Sequence, residues 1–107
     1  MSIRVDLQTS IDLKTSILND TELLAQIEQV SNACVDIYRK GGKLLIGGNG
    51  GSAADAQHFA AEITCQYELK RKGRPALALH TDTSAVTAWS NDYSYEDMYA
   101  RLVEAQG

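Results

Sequence analysis

Apolar residues recur at steps of three and four along the first forty positions: Leu7, Ile11 and Leu18, flanked by Leu13 and Ile17, then Leu23, Ile27, Val30, Cys34 and Ile37. That period places one apolar stripe on one side of a helix. It predicts a first helix over 7–18 and a second one opened by Asn19 and Glu22, which have capping-box spacing. Gly41 and Gly42 stop the second helix, because glycine accepts the left-handed turn that follows a helix C-terminus.

From Lys43 the pattern changes. "KLLIG" at 43–47 is apolar on both alternating faces, as a parallel strand buried between layers must be. Four glycines, Gly47, Gly48, Gly50 and Gly51, surround Asn49 and lead into a helix over 52 to about 65. "LKRKGR" at 69–74 reads first as a solvated connection, with contact to phosphate as the lesser alternative, and Pro75 opens a second short apolar strand, "PALALH". "TDTS" at 81–84 offers N-cap chemistry for a short helix reaching Trp89, and "SND" at 90–92 breaks it. Ser94 and Asp97 start a last helix with Tyr95, Met98, Tyr99, Leu102 and Val103 on its buried side.

Strands alternating with helices make a layered α/β arrangement, with a helical segment over 1–41 ahead of the strands and helices of 42–107. Two strands of the buried parallel type do not satisfy both the faces and the edges of a sheet. The pattern therefore predicts half of a larger domain, or a chain that associates.

Composition narrows the function more than the fold. At 107 residues, 44% hydrophobic and 22% charged, the chain has the make-up of an ordinary single globular domain. A formal net charge of −4 argues against nucleic-acid binding, which needs a basic face. No apolar run approaches the roughly 20 residues of a membrane span, and no apolar segment follows Arg4, so a cytoplasmic setting without membrane partners is expected. Cys34 and Cys65 match no metal or redox spacing and read as buried thiols.

The glycine run carries the chemistry. Glycines at a strand-to-helix turn leave peptide N–H groups unshielded, and Ser52, read as the N-cap, stands where the free N–H groups and the positive dipole end converge. Such a site favours an anion, typically phosphate, although a tight turn that uses glycine only for packing fits the same letters. The run matches neither the dinucleotide fingerprint nor the P-loop lysine motif. On the following helix Asp55, His58, Glu62 and Gln66 share one face, beside an apolar face of Ala56, Phe59, Ala60 and Ile63. Glu62 can take a proton from carbon next to a carbonyl, and His58 can shuttle a proton or stabilise an oxyanion. The same two residues can share a metal ion, or simply form a solvated face. Asn91 and Asp92 fit a turn or a second wall of the site.

"GGKLLIGGNGGSAADAQHFAAEI" followed by "ALHTDTSAVTAWSNDYSYEDMYARLVEAQG" resembles the N-terminal half of the bacterial phosphoheptose isomerases, within the sugar isomerase (SIS) superfamily. The resemblance covers nearly the whole chain. It implies a three-layer, flavodoxin-like parallel sheet flanked by helices, assembled as a homotetramer with sites between subunits. It also implies conversion of D-sedoheptulose 7-phosphate to D-glycero-D-manno-heptose 7-phosphate, in heptose synthesis for lipopolysaccharide or capsule. Carried over by position, Asn49, Gly50 and Gly51 form the substrate loop, Ser52 contacts phosphate, and Asn91 and Asp92 are a further substrate-binding pair. Glu62 is the general base, and with His58 it supplies two ligands of a zinc site. Where the family commonly reads Gly-Arg-Tyr, this chain has Cys65, Gln66 and Tyr67, which removes a cation. The resemblance also places the family's serine-rich second phosphate loop, and the glutamine and histidine that complete the site, beyond Gly107. A non-catalytic SIS module that senses a sugar phosphate or binds a protein, and an inactive fragment, are the rival readings; the acid at Glu62 favours the enzyme.

Overall fold

Two helices open the chain in the computed structural model, which describes residues 2–107. Helix α1 spans Ile3–Leu18, starting four residues before the predicted position, and α2 spans Thr21–Arg39. Asp20, not Asn19, caps α2: its Oδ1 accepts the Leu23 N–H at 2.9 Å. The Asn19 N–H still donates to the Thr15 carbonyl, so Asn19 belongs to the end of α1 and the next residue is left to cap. Contacts divide the chain into two units, one ending at Ile37 and one running Tyr38–Gly107. In the first unit no residue of either helix is buried; of the predicted stripes Leu7, Ile11, Ile27 and Val30 lie exposed, while Ile17, Leu23 and Cys34 are half-buried.

The second unit holds the sheet. Strand β1 (Leu44–Ile46) pairs in parallel with β2 (Ala76–Ala78), in the register Leu44 to Ala76, Leu45 to Leu77 and Ile46 to Ala78. Parallel neighbours need a crossover, and α3 (Gly51–Thr64) supplies it and packs on both strands. Its buried residues are Ala56 and Ala60, whose small side chains let the helix approach closely. The arrangement is the expected α/β one with a parallel sheet.

β2 is shorter than "PALALH" suggests, because Leu79–Thr81 turn into a 3-10 helix that Thr81 Oγ1 fastens by donating to the Ala78 carbonyl at 2.8 Å. Asp82 then caps α4 (Thr83–Asp92), its Oδ1 accepting the Ala85 N–H at 3.0 Å. The helix runs through the break expected at 90–92. Ser90 Oγ donates back to the Val86 carbonyl at 2.6 Å, so its hydroxyl is satisfied inside the helix, and the turn comes only at Tyr93. Ser94 Oγ accepts the Asp97 N–H and leads into α5 (Met98–Gln106).

The core lies where β2's continuation meets α4 and α5. Leu79, Met98 and Leu102 are buried, with Leu45, Ala85, Val86, Trp89 and Tyr99 packed around them. Met98 and Leu102 sit one turn apart and face inward; Tyr95 and Val103, expected beside them, are exposed. Neither cysteine is the buried thiol expected: Cys34 is half-buried and Cys65 exposed.

Candidate active site

β1 delivers the chain into the glycine loop, and two of its glycines have identifiable reasons. A Cβ on Gly48 would stand 2.5 Å from the Ser52 carbonyl oxygen, so the loop can fold this closely over the first turn of α3 only without one. Gly50 has φ +57°, a left-handed conformation that side chains disfavour, and it occupies the N-cap of α3. That position corrects the reading of Ser52 as the cap. The sharp turn at Gly50 starts the helix at Gly51 and places Ser52 in the first turn instead.

The consequence for anion binding is specific. The Ser52 N–H donates to the Asn49 carbonyl at 3.0 Å and the Ala53 N–H to the Gly50 carbonyl at 3.1 Å. Among the described residues, the Gly50 and Gly51 N–H groups and the Ser52 hydroxyl have no partner. Asn49, Gly50, Gly51 and Ser52 are all exposed. Unused donors at the positive end of a helix form a surface suited to a phosphate.

Further along α3, His58 and Glu62 meet. Nε2 of His58 lies 3.0 Å from Oε1 of Glu62, with the ring largely exposed and the carboxylate half-buried. They line a shallow depression of about 450 Å³ with Ala54, Gln57 and Ala61. On its other side Glu62 borders a second depression of about 420 Å³, walled by Phe59, Ile63, Tyr67 and Arg71. Glu62 is thus the residue common to both. Ser52 and Glu62 stand ten positions apart, about 15 Å of helix axis, shortened because helical side chains lean toward the N-terminus. Only an elongated ligand reaches both from this helix.

Gln66 leaves the predicted stripe, because α3 ends at Thr64 and the chain has turned away. Asn91 and Asp92 lie in the last turn of α4, exposed, with Asn91 Nδ2 donating to Asp92 Oδ1 at 3.3 Å. Neither lines the depressions around Glu62. As to a metal, His58 and Glu62 offer one nitrogen and one carboxylate, half of a tetrahedral zinc set. Among the described residues no three His, Cys, Asp or Glu side chains are grouped to hold an ion. The pair fits zinc only as part of a site completed by other donors.

Three residues that act on the site gave no signal in the pattern. Arg71, inside the basic run, donates to the Glu62 carbonyl at 2.8 Å and the Ile63 carbonyl at 2.9 Å, closing the last turn of α3. Tyr95, in the turn before α5, and Tyr99, in its first turn, reach the glycine loop. The general preference for cations at helix C-termini flags Arg71 once the end of α3 is known; nothing local flags the tyrosines.

The SIS domain family matches residues 11–107. The chain belongs to it. This SIS chain is 50% identical over 105 residues to the phosphoheptose isomerase of Aneurinibacillus thermoaerophilus, an alignment that covers 98% of the chain and 53% of the relative. Among solved structures it is similar to a phosphoheptose isomerase from Francisella tularensis (TM-score 0.89, 34% identity, 98% of this chain and 54% of that one). The phosphoheptose isomerase from Neisseria gonorrhoeae gives a TM-score of 0.78 at 38% identity, over 97% of this chain and 53% of that one. The SIS chain thus spans about half the length of the relatives it matches. No helix among the described residues is long and apolar enough to cross a membrane.

Proposed function

We propose that this SIS chain forms one wall of an aldose–ketose isomerase that converts D-sedoheptulose 7-phosphate to D-glycero-D-manno-heptose 7-phosphate. The observation that carries the reading is the pairing, on one helix, of an open set of loop donors with a carboxylate and imidazole 3.0 Å apart. Similarity to phosphoheptose isomerases supports the choice of substrate.

The chemistry follows from the two ends of α3. The Gly50 and Gly51 N–H groups and the Ser52 hydroxyl receive the phosphate, and Asn49 contacts the chain of hydroxyls beside it. An open-chain heptulose phosphate is elongated enough to lie along the helix toward Glu62. The Glu62 carboxylate removes a proton from C1 of the ketose, giving an enediol, and returns it to C2 to give the aldose. His58 moves the second proton between O1 and O2, so the reaction balances with no external oxidant or reductant. A zinc ion, when held by His58 and Glu62 with donors from elsewhere, supplies Lewis-acid polarisation of the carbonyl. Asn91 and Asp92 belong to this reading as substrate contacts only if the site is completed by surfaces other than the two depressions. Assembly as a homotetramer, a cytoplasmic location and a product destined for lipopolysaccharide or capsule complete the proposal by family resemblance.

The test is Glu62→Gln in the intact protein. Loss of a general base lowers turnover by about 10²–10⁴-fold, while binding of sedoheptulose 7-phosphate, followed by calorimetry, persists. Unchanged turnover overturns the proposal. Binding with no turnover even in the parent protein identifies a sugar-phosphate sensor instead.

A further inference from the structure

We propose that Tyr95 and Tyr99 are positioning residues that set the geometry of the glycine loop, and that Tyr95 fixes which end of the Asn49 amide is offered to a ligand. The inference rests on the phosphate-loop reading above and adds two residues that neither the motif nor the comparisons assign.

Proton counting makes the case. The Tyr99 hydroxyl lies 2.6 Å from the Gly48 carbonyl oxygen and 3.1 Å from the Gly48 nitrogen. It therefore donates its only proton to the carbonyl and accepts from the N–H, clamping both polar groups of one residue. Its ring covers the preceding residue, where a Cβ on Gly47 would come within 2.8 Å of Cε1. Asn49 Oδ1 is 3.4 Å from the Tyr99 oxygen, too far for a proton already committed to Gly48. The proton that Oδ1 accepts comes from Tyr95, whose hydroxyl lies 2.5 Å away.

That distance suits O–H···O and is short for N–H···O, so the amide oxygen faces Tyr95. The Nδ2 end, with two N–H donors, has no partner among the described residues. Asn49 thereby presents donors alongside the free Gly50 and Gly51 N–H groups, a set matched to phosphate or hydroxyl oxygens. With the amide released, its acceptor and donor ends exchange freely, and an oxygen-rich ligand meets the wrong end for part of the time.

The test is Tyr95→Phe in the intact protein, combined with Asn49→Ala in a double-mutant cycle. Loss of one hydrogen bond of about 1 kcal/mol corresponds to an approximately fivefold rise in KM for sedoheptulose 7-phosphate, with kcat little changed because Tyr95 does not touch the reacting carbons. The double variant should match Asn49→Ala alone, since Tyr95 acts through Asn49. Side-chain amide resonances of Asn49 should move toward their solvent-exposed positions in Tyr95→Phe. An unchanged KM, effects that add in full, or unmoved resonances overturn the inference. If the parent protein shows no turnover while the resonances still respond, the isomerase reading falls and the positioning of Asn49 stands.

Discussion

His58 and Glu62 were readable as a pair because a helix brings i and i+4 together, and the structure places their side-chain atoms 3.0 Å apart. Ser52 was harder: a serine after a glycine run looks like a cap, and only the positive φ of Gly50 shows that the helix begins one residue earlier. The tyrosines were invisible as loop partners because periodicity reports which face a residue occupies, not what it meets 46 to 51 positions away. Gly48 gives a prediction at this scale. In Gly48→Ala the new methyl group meets a main-chain oxygen at 2.5 Å, which cannot swing aside as a side chain would. We expect destabilisation of about 1–3 kcal/mol in denaturant titration of the intact protein, together with weaker sugar-phosphate binding. Wild-type values for both would show that the loop has slack.

Elements were legible where length and period agreed and illegible where short polar side chains bond within the helix. α2, α3, β1 and the cap of α4 follow the pattern, whereas α5 begins only at Met98, without a side-chain cap from Asp97, and α4 overruns its predicted stop because Ser90 bonds back to Val86. The connection from α3 to β2 had no period to read, and it folds back on the helix it leaves. Arg71 grips the Glu62 and Ile63 carbonyls, the Arg74 N–H adds a bond to Ile63, and Thr64 Oγ1 donates to the Ala76 carbonyl at 3.2 Å. Arg71 therefore closes a helix end, while the rest of the basic run stands in solvent as expected. Arg71→Ala should lower stability by about 1–2 kcal/mol, as expected for charge-assisted bonds at a half-exposed site, and reduce kcat by loosening the turn that carries Glu62. Arg71→Lys should recover little of either, since an ammonium lacks the planar fork that spans two carbonyls. Unfolding curves and steady-state kinetics on the three proteins check this, and full rescue by lysine would contradict it.

At the scale of the whole chain, the buried apolar set among the described residues is small: Ala56, Ala60, Ala78, Leu79, Met98 and Leu102. Against it stand exposed apolar side chains on α1 and α2 and a parallel sheet of two strands. The need for additional surface was readable from the strand count; its source was not, because uncovered apolar faces do not name their cover. Residues 1–107 produced alone should self-associate and bind an apolar dye, as sedimentation velocity and fluorescence will show. A monomer that unfolds in one cooperative transition would refute this. The tyrosine brace adds a temporal consequence. A chain emerging from the ribosome presents its glycine motif before Tyr95 and Tyr99 have followed it out. Until Tyr95 and Tyr99 reach the loop, the motif lacks the hydrogen bonds that hold Gly48 and Asn49. On the reading proposed above, recognition of a ligand waits on these tyrosines, and added phosphate should in turn hold α5 in place against fraying, measurable as slowed amide exchange at its first turn.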